Sequence, residues 1–153
     1  MSELSVDPIL GWRLWQVRRH AEGYRLESLT WHHVAWPGGT RLEARCAVHR
    51  EHAPARGHEC GIHAFTTREL AEDLFRRYTG VRQRYGRDYH ELPPSAPGRP
   101  IALGSVSLWG RVLAREKGYR AQYAYPYELF LISADDEIAR QLRDRYAVDV
   151  WPA

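Results

Sequence analysis

The only two cysteines of this chain and four of its eight histidines lie between Cys46 and His63, in the run CAVHREHAPARGHECGIH. Thiolate and imidazole are the donors that borderline and soft cations prefer, so metal binding is the chemistry this composition supports most readily. Six donors are available: Cys46, His49, His52, His58, Cys60 and His63. Strand alternation sorts them. In an extended 41–49 segment His49 faces away from Cys46, and in an extended 60–65 segment His63 faces away from Cys60, whereas His58 and Cys60 share a side. His52 sits in the connecting loop and is free to reach either strand end. The expected ligand set is therefore Cys46, His52, His58 and Cys60, a closed four-donor site of the kind that holds structural zinc and leaves no position open for a substrate water.

Three alternatives stand beside zinc. Cys46-Ala47-Val48-His49 and Cys60-Gly61-Ile62-His63 form two C-x-x-H pairs, and two cysteines with two histidines also serve a Rieske-type [2Fe-2S] cluster, an arrangement that needs loops where strands are expected. A Cys46–Cys60 disulfide would close a loop of about 15 residues, worth about 3 kcal/mol in the chain-entropy picture. Two core cysteines among surface histidines, with no metal, is the plainest possibility. Other catalytic signatures are missing: no phosphate loop, dinucleotide fingerprint or metalloprotease helix motif occurs, and Gly104-Ser105-Val106 lacks the nucleophile-elbow pattern.

The elements that would position these donors follow from periodicity. Trp12 to Val17 and Tyr24 to Leu29 read as a hairpin turning at Glu22-Gly23, and His32 to Trp36 as a third extended piece ending at Pro37-Gly38-Gly39. Arg41 to Val48 alternates, with Leu42, Ala44, Cys46 and Val48 on one face, so Cys46 points to the core. Arg50 to Glu59 carries Pro54 and Gly57 and reads as a loop, and Cys60 to Phe65 as a short strand. Thr66-Thr67-Arg68-Glu69 has capping-box spacing, and Leu70, Leu74, Phe75 and Tyr78 follow at helical intervals until Gly80, which is expected to end or interrupt the helix. Residues 83–100 are rich in Arg, Pro and Gly and read as a long surface connection.

Ile101 to Leu113 is sheet-forming, its even positions lean and apolar, and Tyr119 to Ile132 returns as the second arm of a hairpin. Asp135-Asp136 open a second helix whose buried stripe is Ile138, Leu142 and Tyr146, and Val148 to Trp151 closes the chain as a strand. Strands, a helix, more strands, a second helix and a last strand predict an α+β fold: a mostly antiparallel sheet with two helices in one compact domain over residues 1–153, behind a short leader, 1–10.

The pieces HAPARGHECGIHAF and GSVSLWGRVLAREKGYRAQYAYP resemble a group of small bacterial proteins without assigned activity. That group has a Cys-x-Cys-Gly-Ile segment after a His-Ala-Pro and a Leu-Trp-Gly ahead of a Gly-Tyr-Arg-Ala hairpin. This chain departs from it at His58, where the resemblance implies a cysteine. His for Cys exchanges one metal donor for another, so the resemblance implies a site and carries no activity.

Composition limits the rest. The 153 residues are 44% hydrophobic and 27% charged, ordinary values for a globular chain, and the formal charge of +3 from 22 basic and 19 acidic residues is too small an excess to announce a nucleic-acid protein. The hairpin nevertheless gathers Arg111, Arg115, Lys117 and Arg120 beside Trp109, Tyr119, Tyr123 and Tyr125, a mixture that suits a protein partner or a nucleic-acid backbone with stacked bases. No run reaches the roughly 20 apolar residues of a membrane span, and the first residues lack a signal layout, which predicts a cytoplasmic protein with reduced or metal-bound thiols.

Overall fold

Long runs with buried residues at alternate positions commit most of this chain to one sheet. The computed structural model describes residues 7–29, 34–46, 53–57, 59–85, 100–132 and 135–152, the side chains of 78–85 excepted. The elements are β1 (Ile9–His20), β2 (Gly23–Ser28), β3 (Leu42–Glu43), β4 (Ile62–Phe65), α1 (Arg68–Tyr85), β5 (Ile101–Ala114), β6 (Gly118–Ile132), α2 (Asp136–Tyr146) and β7 (Asp149–Pro152).

Both β4 and β5 pair with β1 and with β6, so these four strands close into a small ring: β4 meets β1 at Trp12 opposite Phe65 and β6 at Ile62 opposite Ala121. The remaining strands hang from its edges, β2 on the second half of β1 and β3 and β7 further along β6. The ladders are antiparallel except for β6 and β7, which run parallel, making the sheet mixed. Helix α2 supplies the crossover that a parallel return requires. Among the described residues no helix is long and apolar enough to cross a membrane.

Strand alternation assigns a helix to each face. Trp15, Val17, Leu129 and Leu131 face α2 and its stripe Ile138, Leu142 and Tyr146, while Leu14, Ile101, Leu103 and the half-buried Phe130 face α1 through Ala71, Leu74 and Phe75. Burial on both sides explains why β5 is inaccessible at every position from Ile101 to Val106, and not only along the expected even face. Asp135 caps α2 by accepting from the amides of Glu137 and Ile138. At its other end the buried Tyr146 hydroxyl accepts from Leu26 N (2.9 Å) and donates to Trp36 O (2.8 Å), tying helix, strand and loop together.

Three expectations need correction. Helix α1 continues through Gly80 to Tyr85, since one helical glycine costs only about 1 kcal/mol. Its cap is Thr67, whose hydroxyl accepts from Leu70 N at 3.3 Å, one residue later than the expected box. The strand expected from Arg41 shrinks to Leu42–Glu43, and the one expected from Cys60 begins at Ile62, because Gly61 turns the chain at φ 119°. Residues 86–99 of the expected surface connection lie outside the described residues.

Candidate metal centre at the neck of a loop

Strands β3 and β4 do not pair with each other; they lie end to end along the same edge of β6. Leu42 and Glu43 oppose Ala124 and Tyr123, Ala44 N donates to Gln122 O at 2.8 Å, and the ladder resumes with Ile62 opposite Ala121. The chain therefore leaves this edge of β6 after Ala44 and rejoins it at Ile62, so the two ends of the intervening segment are pinned on adjacent rungs. Cys46 lies two residues beyond the exit and Cys60 two residues before the return. The topology thus sets the two segments that carry the cysteines on adjacent rungs of β6.

The rung is a corner. Here β5 carries a register shift between Trp109 and Val112, with Gly110 at φ 74°, and the inward-facing positions of β6 slip from Ala121 to Ala124. Leu42 and Ala44 pack on the main core, and so do Ile62 and Ala64. Consecutive residues of an unbroken strand point to opposite faces, so the excursion also resets the alternation of this edge.

Cys46 is buried, 6% exposed, and Cys60 is half-buried; both are thiols. Around Cys60 the loop is tightly specified. Ala53 and Pro54 are buried, and Ala55 N donates to Cys60 Sγ at 3.1 Å. Gly61 has no room for a side chain, since a Cβ there would sit 2.9 Å from Pro54 Cβ and 3.1 Å from Arg120 Cβ. Arg120, opposite His63 in the ladder and only 4% exposed, donates from one terminal nitrogen to Ala55 O (3.1 Å) and Cys60 O (2.9 Å).

The surroundings are rich in cations. Arg13 reaches the other side of β4, donating to His63 O (3.0 Å) and Ser28 Oγ (3.4 Å) with its guanidinium 4.7 Å from the Trp36 ring centre. Burial lowers its pKa to about 10, and it forms no ion pair with any described carboxylate. His63 Nε2 lies 2.7 Å from Glu59 O, which makes that nitrogen the donor. Its pKa is lowered, first by desolvation and then by Arg13 and Arg120, against the pull of the Glu59 carbonyl and carboxylate. Glu59 is itself held below the usual carboxylate range, first by its hydrogen bond from Arg115, with contacts of 2.7 and 2.9 Å.

Of the four expected ligands the structure describes Cys46 and Cys60; His52 and His58 lie outside the described residues, as does His49. Among the described residues no group of three or more His, Cys, Asp or Glu side chains is arranged to hold a metal ion. His63 donates from Nε2 to Glu59 O on the exposed side of β4. Of the expected binding hairpin, Arg111 and Lys117 are exposed and Arg115 pairs with Glu59. Arg120 is the correction: its side chain turns inward to the loop, so it cannot meet a partner's phosphates. Tyr125 is likewise structural, accepting from Gly39 N and donating to Tyr146 O. Trp109 and Tyr123 remain half-buried at the surface, their rings 6.1 Å apart with Arg41 stacked on Tyr123 at 3.8 Å.

The inward role of Arg120 and the amide on sulfur escaped the sequence reading. Their only trace there was Gly61 beside Cys60, the side-chain-free position that lets Arg120 in. Elsewhere, an open groove of about 720 Å³ runs between the β1–β2 turn and α2; of the arginines lining it, Arg140 pairs with Glu137 and Asp144 and Arg145 holds the carbonyls of Glu22 and Tyr24, while Arg19 stands at its edge. Compared with family models, curated proteins and solved structures, the chain matches none.

Proposed function

We propose that this protein is a small cytoplasmic binding module whose 45–61 loop is stapled at its neck by a structural zinc ion on Cys46, His52, His58 and Cys60. The observation that carries the reading is the end-to-end placement of β3 and β4, which sets the two segments that carry the cysteines on adjacent rungs of β6. The amide directed at Cys60 Sγ supports it, because metal-bound sulfur is commonly oriented by backbone N–H groups. A metal also answers a physical need: the buried residues described in this segment are Cys46, Ala53 and Pro54, small side chains with little apolar area to remove from water. The partner, a protein or a nucleic acid, is met by the hairpin end through Arg111, Lys117 and the Trp109–Tyr123 pair, with Arg115 shared with Glu59.

The test is elemental analysis of purified protein together with its melting temperature. About one zinc per chain is expected, with Cys60→Ser lowering both metal content and thermal stability. Stoichiometric zinc whose removal leaves the melting temperature unchanged would reject a structural role, and metal-free wild-type protein of full stability would reject the site.

An iron-sulfur centre or a reactive, redox-sensing metal is the second reading. One observation favours it: both cysteines lie outside strands, the loop placement that cluster ligands need, although His63 of the second C-x-x-H pair stands in β4 with Nε2 on Glu59 O. A coloured protein with visible absorbance would replace zinc with this reading.

A further inference from the structure

We propose that Arg120 is the positioning residue of the Cys60 sulfur, an inference that rests on the metal-site reading above. The N–H···S bond joins Ala55 to Cys60, and Arg120 grips both of these residues by their carbonyl oxygens, at 3.1 and 2.9 Å, from a single terminal nitrogen. The carbonyls of Ala55 and Cys60 are thus drawn to one point on the sheet side. That convergence fixes the spacing of the two residues and turns the Ala55 amide toward Sγ. The sulfur lone pair used by the amide is thereby specified, and the others are left facing away from it.

The anchor is rigid. Arg120 stands in the β4–β6 ladder opposite His63, is buried, and packs its stem under Gly61, where a Cβ would meet its own at 3.1 Å. A lysine can also donate to two carbonyls from one nitrogen, but its side chain is one bond shorter and its ammonium has no fixed orientation, so it can hold the carbonyls only in part. Arg120 meets Ala55 and Cys60 at their main-chain oxygens. It acts on the site through the main chain of the loop, as groups outside the first coordination sphere do when they orient ligands.

The experiment uses cobalt(II) as the probe on the full chain. Wild type, Arg120→Met and Arg120→Lys are titrated while the sulfur-to-cobalt charge-transfer band and the far-ultraviolet circular dichroism of each metal-free protein are recorded. The expected result is a folded Arg120→Met protein that binds cobalt about 10- to 100-fold more weakly with an altered charge-transfer band, and an Arg120→Lys protein between it and wild type. Should Arg120→Met fail to fold, Arg120→Lys decides on the same two readouts. A folded variant with wild-type affinity and spectrum overturns the positioning role and leaves the metal site standing. Wild-type protein that takes up no cobalt overturns the metal reading and this inference with it.

Discussion

The two ends of the molecule are held by opposite means. Around α2, large apolar side chains interlock: Trp15 meets Trp36 edge-on at 5.4 Å and Leu142 is wholly buried, while the Tyr146 and Tyr125 hydroxyls and the Arg145 guanidinium add ties at the margins of that packing. At the neck of the 45–61 loop the buried residues are small, and the ties are an arginine on two carbonyls and an amide on sulfur. The first region is stabilised mainly by removing apolar area from water. In the second, hydrogen bonds fix geometry while contributing about 1 kcal/mol each. The difference teaches where a cross-link matters: the α2 side does not need one, and the neck does.

The comparison is broken most severely by Trp36→Ala, which should cost about 3–5 kcal/mol in chemical denaturation, by the same amount with and without a zinc chelator. A loss that disappears on chelation would show that the two regions are not separately held. Gly61→Ala comes next, at about 1–3 kcal/mol, because φ 119° is unfavourable for a side chain and Pro54 and Arg120 leave no space. It should lower metal retention as well, measured by chelator competition, whereas Trp36→Ala should not.

The smallest effect is the pH response of His63. Its folded pKa lies below the ordinary 6.5, so the unfolded chain takes up the proton first as acid is added. Its contribution to stability is complete above pH 6.5, falls as the pH drops from there to the folded value, and is level below that. The imidazole resonances should titrate with a midpoint below 6.5, and His63→Gln should flatten this part of the stability profile. A midpoint above 6.5 would show that the cations of Arg13 and Arg120 are not felt at this ring.

The elements whose side chains repeat regularly were legible in the sequence. The first hairpin, the β5–β6 hairpin and the Ile138–Leu142–Tyr146 stripe all follow from periods of 2 or 3.6. What escaped depends on partners distant in sequence. Leu42, Ala44, Ile62 and Ala64 read locally as two strands, and nothing near them says that both strands occupy one edge of β6. The parallel pairing of β7 is a consequence of where α2 delivers the chain. Arg120 is polar and lies between Tyr119 and Ala121, so local pattern placed it outward among binding residues; only the fold shows that the loop supplies carbonyl acceptors beneath it.

The reset of alternation at the β3–β4 junction has a consequence for shortening the chain. Splicing Ala44 directly to Ile62 would ask two consecutive residues of one strand to face the core, so either the rung of Ile62 on Ala121 or the inward position of one of the two would be lost. A workable minimal version of this protein therefore retains one spacer residue at the splice, a bulge standing in for the whole excursion.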